Sequence, residues 1–560
     1  MKKIERRALV CCILAMLLAA GLCVFLGKYL LNGGSWVSSA FNRHLYNSSG
    51  VLACGTVLDR DGDVLSTVEN GERTYYDNAD VRRATLHAVG DLQGNIGTGA
   101  LNAFADKLTG YNLLNGAFGA QQGNDLYLTI DARYNYEAYQ ALGGLAGTVA
   151  VYNYKTGEIL CMVSAPSYDP LNVPADIETN DRYKGAYINR FLSSTFTPGS
   201  VFKTVTLTAA LEQIPDLESR TWTCNGSVEI DGETIVCSGT HGEQNIGDAF
   251  ANSCNVAFAL IAQELGGDVL EEYTQKAGLM DSYSINGLPT AKGTFRFQDI
   301  SDGELGWSGV GQGQDQVNPA SLMVYMGAIA NGGKAAQPYL IEKTVSSLGI
   351  PSLPHFTKKT DSLLSADTAQ RLADMMADNV ERTYGASRFP NMDICAKSGT
   401  AEVGEGLTPH AWFAGFLRNE DAPYAFVVLV ENGGGGRYGG RQGVGCDGQR
   451  ILIRKRVETM KDNKRGFLLQ TVKQMNNGAI VSGIGFLLYV AASALQLEVL
   501  ADILVIAFGI VAVYVLVSVA EGRKKDKKAV SYNLLWGQTA LTILLVGCAV
   551  LTIRLRLGLQ

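Results

Sequence analysis

The stretch STFTPGSVFKTVTLTAALEQ, residues 194–213, opens an apolar helix with Pro-Gly-Ser and places a lysine one turn later. A serine at a helix start ordinarily caps it, and a lysine ordinarily reaches for water. Ser200 and Lys203 are three apart, so a helix puts them on one face. The residues around them, Val201, Phe202, Val205, Leu207, Ala209, Ala210 and Leu211, are those of a buried helix. Burying an ammonium is costly unless it is paired, loses its proton or is used. The spacing points to a serine activated by a lysine inside the core.

Two further stretches complete a constellation. FANSCNVAF supplies Ser253, Cys254 and Asn255 after a helical lead-in, and ICAKSGTAE supplies Lys397, Ser398, Gly399 and Thr400 in an extended segment. Ser-x-x-Lys occurs once in the chain, but the other two patterns have decoys. Ser-x-Asn recurs at Ser284-Ile285-Asn286 and Ser531-Tyr532-Asn533. Lys155-Thr156-Gly157 matches a Lys-Thr-Gly motif better by letter than Lys397-Ser398-Gly399 does. It precedes Ser200, however, and sits between two alternating apolar segments, where its glycine serves a hairpin turn. We read Lys155 as structural.

The order Ser-x-x-Lys, Ser-x-Asn, Lys-Ser-Gly resembles that of the transpeptidase domain of class B penicillin-binding proteins. The stretches that carry the resemblance are VAVYNYKTGEILCMVSAPSYDP, NRFLSSTFTPGSVFK, THGEQNIGDAFANSCNVAF, GWSGVGQGQDQVNPASLMVYMGAIANGG, AKSGTAE and HAWFAGFL, spanning about 124–435. Cys254 fills the variable position of the second motif, and Ser398 stands where threonine is commoner. The implied fold is an α/β (α+β) domain of the serine β-lactamase/transpeptidase kind, an antiparallel sheet with helices on both faces. The implied activity is D-Ala-D-Ala transpeptidation of peptidoglycan stem peptides through an acyl-enzyme on Ser200, with β-lactams as inhibitors and no cofactor.

The resemblance also assigns roles. Lys203 would be the base, kept neutral by burial, the positive helix end and the nearby Lys397. Ser253 would relay the proton to the leaving amine, and Asn255 would hold the substrate amide. Lys397, Ser398, Gly399 and Thr400 would receive the terminal carboxylate, and the N–H groups of Ser200 and Thr400 would form the oxyanion hole. A DD-carboxypeptidase or β-lactamase shares these motifs, and a membrane β-lactam receptor would use the same site. Residues 33–123 are too short for a glycosyltransferase domain, which implies a SEDS-type glycan polymerase as partner.

The rest of the chain sets the surroundings. Its 560 residues carry a formal net charge of −7 with 47% hydrophobic residues, a balance that does not suggest nucleic acid. Lys2, Lys3, Arg6 and Arg7 precede an apolar run over 8–27, which reads as an uncleaved transmembrane anchor within residues 1–32 and places the catalytic domain outside the cell membrane. A small pedestal is expected over 33–123, where GTVLDRDGDVLSTV reads strand, turn, strand. Its Asp59, Asp61 and Asp63 lack the glycine of a calcium loop, since Val64 stands at that position. The transpeptidase domain is expected over 124–436. Among the 11 cysteines, Cys224 and Cys237 flank NGSVEIDGETIV as a candidate disulfide. The histidines at 44, 87, 241, 355 and 410 lie in no His-x-x-x-His or Cys-x-x-Cys context, so no metal site is expected.

A basic junction over 437–477 precedes apolar runs at 478–495, 499–520 and 534–553. With the amino terminus inside, the basic 522–528 segment would lie outside, against the positive-inside rule. Residues 478–560 are therefore read as three transmembrane helices that entered as a separate, fused membrane protein.

Overall fold

The computed structural model describes residues 2–37, 45, 51–110, 123–347, 349–389, 392–404, 406–434, 472–495, 497–525 and 531–557. The central sheet is wholly antiparallel. Its strand order is Ile394–Ala401, His410–Leu417, Tyr424–Val430, Gly147–Asn153, Ile159–Ala165. These strands are mostly buried because both faces are covered, and the period of two sends neighbours to opposite layers. Ala150 and Tyr152 face one core with Met162, Ala414 and Val427. Val149 and Val151 face the other with Val163, Phe413 and Phe426. The first layer contains the Pro319–Ala330 helix, the Lys203–Gln213 helix and the Asn255–Lys276 helix. The second receives Tyr134, Ala138 and Leu142 of the Ala132–Leu142 helix. The expected antiparallel sheet with helices on both faces is present.

A second five-stranded sheet has the order Ile341–Val345, Asp125–Leu128, Thr56–Leu58, Val64–Glu69, Glu72–Tyr75. It draws strands from both sides of position 124, so the pedestal segment is completed by chain from the catalytic region. The GTVLDRDGDVLSTV segment forms strand, turn and strand as its sequence suggests. Asp59 Oδ1 accepts the N–H groups of Asp61 and Asp63 at 2.9 Å each, and Asp59 Oδ2 accepts the Ala132 N–H at 3.0 Å. The aspartate ties this turn to the start of the Ala132–Leu142 helix, and burial pushes its carboxyl up to about 7.

A buried ion pair makes another join. Arg82, from the Ala79–Val89 helix, holds both carboxylate oxygens of Asp169 at 2.7 Å. Burial, the largest single influence, would raise Asp169, but hydrogen bonds from Arg82, Asn172 and the Leu171 N–H together with the Arg82 charge outweigh it and hold the acid at about 2. Its folded value lies below the ordinary 3.8, so this contribution to stability is present above pH 3.8 and is lost as pH falls toward 2.

The 8–27 run lies within one helix, Lys2–Val37, whose apolar stretch is Ile13–Tyr29. The helices Val472–Ala494, Glu498–Lys525 and Tyr532–Leu557 are long and apolar enough to cross a membrane. Met475, Val515 and Val519 from the first two pack with Leu58, Tyr127 and Val345 of the second sheet. Most of the expected junction, 437–471, lies outside the described residues.

Candidate active site

The nucleophile segment is a 3-10 turn, Gly199–Val201, running into the Lys203–Gln213 helix. Gly199 explains the Pro-Gly-Ser opening. Its φ is +57°, and a Cβ there would meet the Thr400 carbonyl oxygen at 2.4 Å. Only glycine lets the turn adopt a left-handed conformation while lying against the Ile394–Ala401 strand. Ser200 and Thr400 are thereby brought to one cleft, of about 890 Å³, lined also by Ser253, Asn255, Ser398, Trp307 and Gln312.

Lys203 is fully buried beneath this cleft. Its Nζ lies 3.0 Å from Ser200 Oγ, 2.7 Å from the Ser253 carbonyl oxygen, 3.3 Å from Ser253 Oγ and 2.7 Å from Asn255 Oδ1. The Asn255 amide is oriented from its other end, where Nδ2 donates to the Val236 carbonyl at 2.8 Å. Asn255 therefore holds the lysine in this structure. Lys397, 1% exposed, donates to Ser253 Oγ at 2.9 Å and to the Ser398 carbonyl at 3.1 Å. Ser253 Oγ thus stands between two lysine nitrogens. Its φ of +54° is unusual for a residue with a side chain, and the contacts on both sides hold the backbone there.

The three motifs converge as the sequence suggests, and their decoys do not. Lys155 is exposed on the turn between the Gly147–Asn153 and Ile159–Ala165 strands, where Asn153 Oδ1 accepts the N–H groups of Lys155 and Thr156. Asn286 accepts the Leu340 and Ile341 N–H groups at 2.6 and 3.0 Å, a structural role. Ser531 and Tyr532 stand at the start of the last apolar helix.

Several contributors were invisible to motif reading. Tyr384, in a π-helical turn over Val380–Gly385, donates its hydroxyl proton to Ser398 Oγ at 2.8 Å and accepts the Ser398 N–H at 2.8 Å. Its donation leaves the Ser398 hydroxyl proton available to the cleft. Gln312 Nε2 donates to the Thr400 carbonyl at 3.1 Å, and Trp412 Nε1 to the Thr197 carbonyl at 2.8 Å. No spacing rule marks these residues, since each acts across the fold.

The cysteine expectations need correction. Cys224 and Cys237 are free thiols and do not form the candidate disulfide. Cys224, Cys237, His241 and Cys254 place one ligand atom each within 4.8 Å of one another, a grouping that the sequence contexts of the histidines did not suggest.

Comparison with known proteins places this geometry. Residues 147–443 match the family described as penicillin binding protein transpeptidase domain. The peptidoglycan D,D-transpeptidase PbpA of Mycolicibacterium smegmatis is 30% identical over 371 residues, covering 60% of this chain and 73% of that one. The stage V sporulation protein D of Bacillus subtilis is 29% identical over 340 residues, 56% of this chain and 50% of that protein. Among solved structures, the penicillin G acyl-enzyme complex of penicillin-binding protein A from M. tuberculosis aligns with a TM-score of 0.63 at 24% identity, over 72% of this chain and 99% of that one. A D,D-transpeptidase domain from Eggerthella lenta aligns with the same score at 27% identity, over 72% and 98%.

Proposed function

The chain belongs to the penicillin-binding-protein transpeptidase family and is a serine-type peptidoglycan D,D-transpeptidase, and on that premise we propose that Ser200 is the nucleophile that carries the acyl-enzyme. The observation that supports this most is the seat of Lys203 Nζ. Two of its neighbours, the Ser253 carbonyl and Asn255 Oδ1, can only accept hydrogen bonds, and each lies at 2.7 Å. In the neutral amine they would take the two N–H protons and leave the lone pair for the Ser200 hydroxyl at 3.0 Å.

Ser200 Oγ attacks the carbonyl joining the two terminal D-Ala residues of a stem peptide, and its proton passes to Lys203. The N–H groups of Ser200 and Thr400 receive the negative oxygen of the tetrahedral adduct. Ser253, within reach of both lysines, returns a proton to the departing amine, and the C–N bond breaks to release D-Ala. Asn255 orients Lys203. Lys397 supplies positive charge, and Ser398, Gly399 and Thr400 receive the substrate carboxylate. An amine from a neighbouring strand then attacks the ester and restores Ser200. β-Lactams enter the first half of this sequence as substrate mimics.

The part of the Lys2–Val37 helix within residues 1–32 is assigned as the membrane anchor, residues 33–123 as pedestal and 124–436 as the extracytoplasmic catalytic domain, working beside a SEDS-type glycan polymerase. Residues 437–477 are assigned as a junction and 478–560 as a fused membrane unit, on the positive-inside conflict of 522–528. The packing of Val515 and Val519 on Tyr127 bears on the same point. A protease map that finds 522–528 outside the cell, with an intact reading frame, would favour that packing and defeat the fusion.

The enzymatic proposal is tested with fluorescent penicillin and lipid-linked peptidoglycan. The wild-type chain is expected to label and cross-link, and Ser200→Ala to do neither while remaining folded. Hydrolysis without cross-linking would make water the acceptor and the protein a carboxypeptidase. A long-lived adduct with no cross-linking would make it a receptor.

A further inference from the structure

Cys224 ends the Trp222–Cys224 strand, Cys237 follows the Glu233–Val236 strand, His241 precedes the Gly242–Gln244 strand, and Cys254 caps the Asn255–Lys276 helix between Ser253 and Asn255. None of the four is needed for the acyl-transfer steps. Cys224 and Cys254 are fully buried and Cys237 nearly so. Cys237 Sγ lies 3.9 Å from Cys254 Sγ and 3.6 Å from His241 Nδ1. A tetrahedral zinc with bonds of ~2.3 Å to sulfur and ~2.1 Å to nitrogen sets edges of about 3.8 Å between sulfurs and about 3.6 Å between sulfur and nitrogen. The two separations present match those edges, and all four ligand atoms lie within 4.8 Å of one another.

From this geometry we propose that Cys224, Cys237, His241 and Cys254 bind one Zn²⁺, closing a structural site that pins the Ser253 turn to the small strands over 222–244. Three thiols and an imidazole are a donor set that selects zinc among divalent ions. A disulfide would use two of the sulfurs and leave the third and the imidazole unmatched. The sulfurs also have donors of their own: the Asn255 N–H points to Cys237 Sγ at 3.2 Å and the Ala257 N–H to Cys254 Sγ at 3.5 Å. Such outer donors orient and stabilise thiolate ligands. Binding gives three thiol protons to solvent and leaves the centre with one net negative charge when His241 is neutral.

Four protein ligands leave no open position, so the metal activates no water. Its effect falls on the cleft through Cys254. Ser253 holds a left-handed backbone beside that residue, and Asn255 reaches both Lys203 and the carbonyl of Val236. Fixing Cys254 to three residues of the 222–244 segment keeps Ser253 and Asn255 at their distances from Lys203. The 222–244 strands, three or four residues long, already pack Ile230 and Ile235 on Ala259, and the metal would add a second tie between this wall and the start of the Asn255–Lys276 helix.

The test uses the full-length chain purified in detergent without chelator. Elemental analysis is expected to find about one zinc per chain, and X-ray absorption a shell of three sulfurs and one nitrogen. Cys224→Ser and His241→Ala, neither of which touches Ser200 or Lys203, are expected to lose most of the metal. Chelator treatment of the wild-type chain is expected to lower its melting temperature and slow penicillin acylation, with both restored by added zinc. The metal readout is independent of the roles given to Ser200 and Lys203. A chain that stays zinc-free after zinc is supplied, or one carrying a Cys224–Cys237 disulfide seen as a loss of two hydrogens by mass, would overturn the site whether or not Ser200 is the nucleophile.

Discussion

Lys155-Thr156-Gly157 and Lys397-Ser398-Gly399 carry nearly the same side chains in the same order and sit in opposite surroundings. The first triplet is a hairpin turn. Lys155 is exposed, and Gly157, with φ at +94°, is required because a Cβ there would meet the Gln337 carbonyl at 2.2 Å. The second lies along a strand at the edge of the central sheet, with Lys397 buried against Ser253 and Ser398 held by Tyr384. An exposed lysine in water is a solvated charge whose removal costs little. A buried lysine aimed at a hydroxyl in a cleft stabilises charge where a substrate carboxylate would dock. Surroundings, not letters, separate a turn from a binding strand.

The comparison can be broken or sharpened by substitution, starting with the serine that the buried triplet serves. Ser200→Ala is expected to abolish penicillin labelling and cross-linking while changing stability by less than about 1 kcal/mol, since a small hydroxyl adds little packing. Lys203→Ala and Lys203→Arg are both expected to lower the acylation rate by about 10²- to 10⁴-fold, measured as kcat/KM or as the second-order labelling constant. Arginine keeps its charge and cannot act as base. An active Lys203→Arg protein would remove Lys203 from that role.

The direct contrast comes next. Lys397→Ala is expected to slow acylation by about 10²-fold, whereas Lys155→Ala stays within about 0.5 kcal/mol of wild type in both activity and stability. Equal damage from the two would mean that the turn triplet also serves the cleft. A smaller loss than that of Lys397→Ala is expected from Tyr384→Phe, which removes one hydroxyl that both donates to and accepts from Ser398. A loss of about 1 kcal/mol for each of these two bonds, or roughly 30-fold together in kcat/KM, is anticipated.

Much of this site was legible because its chemistry is written in short spacings. Three residues along a helix fix Ser200 relative to Lys203, and two along a turn fix Ser253 relative to Asn255. Apolar segments on either side of Lys155-Thr156-Gly157 likewise announced the 147–165 hairpin. The remainder depends on contacts between distant segments. Tyr384 reaches Ser398 across 14 positions. Cys224 and Cys254 are 30 positions apart, and their nearness depends on how the strands over 222–244 fold back onto a helix start. The second sheet, too, takes a strand from 341–345 that no local pattern connects to residue 56.

The central claim is that the buried lysine beneath the cleft makes Ser200, and no other hydroxyl there, the nucleophile. The most direct measurement is proteolytic mapping of the penicillin adduct by mass spectrometry on the full-length chain. The adduct is expected on Ser200 alone, within the peptide that also contains Lys203. An adduct on Ser253 or Ser398 would contradict the assignment.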